Sequence, residues 1–250
     1  MSMDATPAPA EETEDRRGRG ALTFLRDVLV IVLVALVVSF VVKTFLVRSF
    51  YIPSASMENT LMELDHILVD ELTPRFGGYE RGDVVVFRDP GGWLGPQVQA
   101  AEPSNPIAAG ADWLLSLVGL SASDSEDHLV KRIIGLPGDR VACCNELGQV
   151  TVNGTAIDES SYLLLPEPGA AASAVEFDVT VPDGSLWLMG DNRYRSKDSR
   201  YNQDQPGKGF VPLDNVVGRA FAITWPLDRL AFVDAHHAVF AGVLEPGVDG

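Results

Sequence analysis

The amino-acid sequence predicts a mainly β domain of antiparallel sheets, preceded by one N-terminal transmembrane helix. Three observations predict it. From Val28 to Val42 there are fifteen consecutive residues without a charge, bounded by Asp27 and Lys43. Beyond them the apolar residues come in short runs of strand length, "DVVVF" at 83–87, "VTVNGTAI" at 150–157 and "SLWLMG" at 185–190, separated by Gly, Pro and Asp. Inside the second run, Asn153-Gly154 is a two-residue hairpin signal, because both residues tolerate positive φ.

Taken in order, residues 1–20 hold Pro, Ala, Glu, Asp and Arg with no large apolar side chain except Met, so they are expected to form a disordered tail. The anchor is assigned to 21–48. Its uncharged core alone rises about 22 Å, but the twenty residues to Val47 reach the roughly 30 Å of a hydrocarbon layer, with Lys43 snorkelling to the interface. A cleaved signal peptide is the competing reading. It should end in a small-residue cleavage site, and Val47, Arg48, Ser49 and Phe50 offer none. Arg16, Arg17, Arg19 and Arg26 before the segment outnumber Lys43 and Arg48 after it, which puts the N-terminus in the cytoplasm and the domain at 49–235 outside the cell membrane. Residues 89–128, rich in Gly, Pro, Ala and Ser, read as an insertion carrying a short apolar helix, "ADWLLSLVGL". Such a helix either covers a sheet or acts as a membrane-resting or substrate-gating flap. Residues 236–250 read as a C-terminal tail.

The charge excludes one partner class. All of the net charge of −16 falls after Arg48, where 13 basic residues face 29 acidic ones, so a nucleic-acid partner is not expected. Cys143 and Cys144 are adjacent, which gives neither a disulfide framework nor a metal-ligand spacing. Two packed thiols and a vicinal disulfide both remain open, and no metal or other cofactor is expected.

Candidate chemistry begins at "FYIPSASMENTL", residues 50–61, where small hydroxyl residues follow the anchor. On its own this is a Ser-rich turn after Pro53. A serine becomes a nucleophile only when a neighbour takes its proton, and the usual base is histidine. His66, His128, His236 and His237 stand in no recognisable catalytic context. The other available base is a lysine desolvated until it is neutral near working pH. In "HLVKRIIGLPGDRV", residues 128–141, strand alternation sets Leu129, Lys131 and Ile133 on one face, so Lys131 is the lysine of the outer domain with desolvating neighbours. A third element, "GDNRYRSKDSR" at 190–200, leaves an apolar strand and is dense in charge and hydroxyl. It reads equally as a solvated loop or as a source of hydrogen bonds that orient the lysine.

In this order, the anchor, "PSASMENTL", "RGDVVVF" at 81–87, "KRIIGLPGD" at 131–139 and "GDNRYRSKDSR" resemble the bacterial type I signal peptidases. The resemblance implies the fold of that family, coiled antiparallel sheets, and a Ser/Lys serine endopeptidase that removes N-terminal signal peptides from exported preproteins. Ser56 would attack the scissile carbonyl and neutral Lys131 would take its proton. The Ser54 hydroxyl and the Ser56 backbone N–H would form the oxyanion hole. Ser196 matches a serine that hydrogen-bonds the lysine, and Asp191 with Arg132, and Asp198 with Arg200, match supporting ion pairs. Phe50, Ile52, Met57, Leu61 and Val130 match shallow pockets that accept small residues, usually Ala, at positions −1 and −3. The implied partners are signal peptides of secreted preproteins, membrane lipid and the secretion machinery.

Two positions depart from the family pattern. Asn59 stands where many members have proline, and Ala55 stands where many have glycine and would disfavour a positive φ. Two other functions compete. A self-cleaving Ser/Lys regulator would share the chemistry but is opposed by the anchor, and a non-enzymatic tethered β domain would bind exported chains without cutting them.

Overall fold

The structure, a computed structural model, describes residues 24–36, 47–94 and 127–246. Contacts divide the chain into two units, 1–45 and 46–250. In the first, residues 24–36 form a helix, α1, whose apolar side chains, from Phe24 to Leu36, are exposed all round. Among the described residues no helix is long and apolar enough to cross a membrane. The predicted tail, the "ADWLLSLVGL" helix and residues 21–23 and 37–46 of the predicted anchor lie outside the described residues.

The second unit is mainly antiparallel β. Its strands are β1 (Val47–Tyr51), β2 (His66–Asp70), β3 (Val84–Arg88), β4 (His128–Gly135), β5 (Arg140–Cys143), β6 (Val150–Val152), β7 (Thr155–Ala156), β8 (Phe177–Thr180), β9 (Ser185–Met189), β10 (Val211–Pro212), β11 (Val216–Trp225) and β12 (Ala231–Phe232). One short helix, α2 (Thr73–Gly77), interrupts them. The larger sheet runs β1-β2-β11-β3-β4-β9-β10, with β12 on β11, and the smaller runs β7-β6-β5-β8. Asn153 and Gly154 turn between β6 and β7 with φ of 50° and 79°, as the two-residue hairpin requires.

Side-chain alternation distributes the core. On β3, Val84 and Val86 enter a cluster with Ile67, Val69 and Ile223, while Val85 and Phe87 enter another with Ile133, Leu186 and Leu188. Both faces are covered, which is why "DVVVF" is continuously apolar instead of alternating. A third cluster surrounds the smaller sheet, where Trp187 of β9 stacks between Phe177 and Phe210 at 5.4 Å from each. The two sequence boxes "RGD" and "LPGD" meet in space: Arg81 donates twice to Asp139, at 2.7 Å each, and Asp139 also accepts from the Leu136 N–H. Cys143 and Cys144 are joined as a vicinal disulfide at the end of β5.

Residues 89–94 of the predicted insertion form a turn in which the Asp89 carboxylate accepts from the N–H groups of Gly91, Trp93 and Leu94, and Trp93 is buried against Phe87. His128 opens β4, and residues 95–126 lie outside the described residues. After β12 the chain stays packed, and Phe240 is buried in the cluster of the smaller sheet.

Trp187 is fully buried with aromatic rings on two sides, so Trp187→Ala should lower unfolding free energy by about 3–5 kcal/mol in chemical denaturation.

Candidate active site

Ser56 sits in a single 3-10 turn, Ala55–Met57, separated from the end of β1 by Ile52, Pro53 and Ser54. Proline at 53 and the extended Ser54 (φ −134°, ψ 150°) break the strand and start the turn. Ala55 lies inside that turn and is absent from the residues with positive φ, so the turn does not demand the glycine that many family members carry. Asn59 has a φ of 87°, which proline cannot adopt, so the turn here requires a residue other than proline.

Lys131 pairs with Val85 across β3 and β4. Its neighbours Leu129 and Ile133 pack with Val85 and Phe87, which is the predicted apolar face. Its Nζ lies 2.6 Å from Ser56 Oγ and 2.9 Å from the Val130 carbonyl oxygen, and the residue is only 3% exposed. Burial pushes the amine down from 10.5 to about 8, against the opposing pull of the Asp198 and Asp191 carboxylates and with help from the Arg200 charge. Ser54 Oγ lies 3.2 Å from Ser56 Oγ. Phe50, Ile52, Met57 and Leu61 are buried together in the cluster beside this turn, with Val130 half-buried against it.

The loop after β9 closes the site from the other side. Arg132 is completely buried and holds Asp191 through two hydrogen bonds, Nε to Oδ1 at 2.9 Å and Nη2 to Oδ2 at 2.8 Å. Asp198 and Arg200 form a second buried pair, and the Asp198 carboxylate also accepts from the Gly190 N–H at 2.9 Å. Burial pushes the Asp198 carboxyl up, but the bonds and charge of Arg200 more than offset this and hold it below its ordinary range. Ser196 is buried beside Gly190, and its hydroxyl helps Arg200 to hold the Asp198 carboxyl low.

Several supporting residues carry no signal in the sequence reading. Arg193 pairs with Glu159 in a third buried ion pair, and Glu159 also accepts from the Tyr162 hydroxyl at 2.6 Å. The Tyr162 ring lies 4.2 Å from the Arg132 guanidinium carbon, and the Thr60 hydroxyl bridges Arg132 and Asp191. Arg193 falls within a quoted motif, but its partner Glu159 sits in the unremarkable loop "DESSY", and only the fold brings them together.

A hydroxyl held against a buried amine that loses its proton near pH 8 can be activated as a nucleophile, the requirement of a covalent hydrolase. The chain resembles known proteins along most of its length. Residues 25–225 match the family described as signal peptidase, peptidase S26. Signal peptidase I of Mycobacterium tuberculosis (strain CDC 1551 / Oshkosh) is 38% identical over 240 residues, 90% of this chain and 80% of that protein. Signal peptidase I U of Bacillus subtilis (strain 168) is 28% identical over 207 residues, 81% of this chain and 88% of that one. A crystal structure of a signal peptidase I from Enterococcus faecalis V583 aligns with a TM-score of 0.33 at 22% identity, covering 56% of this chain and 95% of that one. The chain belongs to the signal peptidase family, peptidase S26, and is thereby a protease.

Gly190 sits where a Cβ would overlap the Ser196 hydroxyl and the Ser56 carbonyl oxygen. Gly190→Ala should therefore displace Ser56 and lower kcat by about 100-fold, read in a preprotein-processing assay beside a circular dichroism spectrum that stays native.

Proposed function

We propose that this chain is a membrane-anchored signal peptidase I, a serine endopeptidase that removes N-terminal signal peptides from exported preproteins. The observation that carries the reading is the 2.6 Å approach of Lys131 Nζ to Ser56 Oγ inside a buried site. Ser56 Oγ attacks the scissile carbonyl while neutral Lys131 accepts its proton. The oxyanion is received by the Ser54 hydroxyl and the Ser56 backbone N–H. Lys131 then returns the proton to the leaving amine, and a water that it activates in the same way hydrolyses the acyl-enzyme. Arg132–Asp191 and Asp198–Arg200 hold the surrounding backbone.

Specificity for small residues, Ala at −1 and −3, is what the family resemblance assigns to Phe50, Ile52, Met57, Leu61 and Val130, an apolar cluster beside the nucleophile. Pockets of this kind discriminate by only about 1–3 kcal/mol per methylene, so tethering enzyme and substrate to one membrane supplies selectivity through effective concentration. The tether is residues 21–48, a single pass with the N-terminus cytoplasmic and the catalytic domain extracytoplasmic. The uncharged run from Val28 to Val42 and the all-round exposure of apolar side chains on α1 support it. The secretion machinery and membrane lipid are the implied partners.

Ser56→Ala and Lys131→Ala should each lower kcat on a preprotein in detergent on the order of 10⁴-fold or more while the fold is retained. Mass spectrometry of the wild-type products reads the cut directly: cleavage after Ala-X-Ala in the preprotein supports the reading, and cutting confined to the enzyme's own chain overturns it.

The amine must be neutral to act as base, so the limiting protonation lies near 8 instead of 10.5. The kcat/KM profile should rise with pH through about 8 and level above it. A rise centred near 10.5 would count against a desolvated lysine.

A further inference from the structure

The segment after β12 carries no motif, yet it reaches the buried guanidinium of Arg132. Two edges of that guanidinium face Asp191 and Thr60. Its remaining nitrogen, Nη1, donates to three backbone carbonyls, those of Gly82 at 2.7 Å, Ala235 at 3.1 Å and Asp234 at 3.2 Å. A guanidinium held only by its carboxylate can swing with it, whereas one clamped on the opposite edge as well cannot.

Carbonyls can be aimed only by holding the chain that bears them. His236 turns that chain in the left-handed region (φ 52°, ψ 39°), with its ring 5.3 Å from the Tyr162 ring that also covers Arg132. His237 then reaches back, its Nε2 3.2 Å from Asp83 Oδ1 and its Nδ1 3.7 Å from Glu80 Oε2. Asp83 is fully buried, takes the Glu80 N–H at 3.0 Å, faces Arg219 at 3.4 Å, and accepts from the Ile133 N–H of β4 through its carbonyl. Close approach is built into Gly82, where a Cβ would overlap the Ala235 carbonyl oxygen and crowd Phe240.

We infer that residues 234–237 are a clasp that positions Arg132, and through it Asp191, against the amine of Lys131, latched by the contact of His237 with Asp83. The inference rests on the Ser56/Lys131 reading. The clasp touches no reacting atom, so its loss should slow the chemical step without weakening substrate binding.

The test uses the full chain in detergent with a preprotein substrate. His237→Ala should lower kcat about tenfold with KM unchanged. The acid limb of its pH profile should move upward. Asp191 raises the pKa of the amine, as does Asp198, while Arg200 lowers it, so an Arg132 that neutralises Asp191 less well leaves Lys131 protonated to higher pH. His237→Gln, which offers an amide N–H in place of Nε2–H, should restore most of kcat. If His237→Ala loses the native Tm, His237→Leu, which keeps the bulk of the ring, is judged by the same criteria. A folded variant without the latch whose kcat and acid limb match wild type overturns the clasp. Lys131→Ala run beside it separates the two readings: activity in that variant sinks the lysine base itself, while its inactivity beside an unaffected His237→Ala sinks only the clasp.

Discussion

A lysine buried beside carboxylates normally stays charged, and the architecture of this site is organised around preventing that. Asp191 and Asp198 are both completely buried and both pull the Lys131 amine toward protonation. Each is answered by its own arginine, Arg132 for Asp191 and Arg200 for Asp198, and each pair is joined through at least two side-chain hydrogen bonds. With the carboxylates neutralised locally, desolvation prevails and the amine falls to about 8. Without the arginines, the same carboxylates would pull harder on the amine and favour its ammonium form.

Three buried ion pairs are an expensive way to fill a core, since burying charges costs several kcal/mol per ion and a good apolar core would serve stability as well. Their placement indicates what they contribute. The Gly190 N–H donates to Asp198, the Gly190 carbonyl accepts from Arg193, and the Arg193 carbonyl accepts from Arg200. Two of the pairs, Asp198–Arg200 and Arg193–Glu159, thus close a circuit of hydrogen bonds around Gly190, the residue packed against the Ser56 carbonyl, and fix its backbone.

Much of this was legible in the sequence because periodicity and turn chemistry are local. The runs at 83–87, 150–157 and 185–190 became β3, the β6–β7 hairpin and β9, and alternation along 128–134 identified Lys131 as the lysine with apolar neighbours. Pairings between distant segments were not legible. Nothing near Glu159 announces Arg193, nothing near Tyr162 announces the Arg132 guanidinium, and Asp234 and Ala235 act through carbonyls that every residue possesses. The family resemblance supplied the Arg132–Asp191 and Asp198–Arg200 pairs, which composition alone left as a charged loop. It also assigned Ser196 a place beside the lysine, and the structure buries Ser196 against Gly190.

What turns these contacts into a fixed geometry is the pair of strands that carry them. On β9, Leu186 and Leu188 enter one apolar cluster while Trp187 and Met189 enter another, so the strand is wedged between two cores just before it releases the 190–200 loop. On β4, Val130, Ile133 and Ile134 belong to three different clusters within five residues, and Lys131 and Arg132 lie between them. A shift of either strand along its axis would move side chains out of more than one core at once. The positions of the Lys131 amine and of the start of the 190–200 loop are therefore set by apolar packing on both sides of both strands, and the polar network has only to hold the last few ångströms.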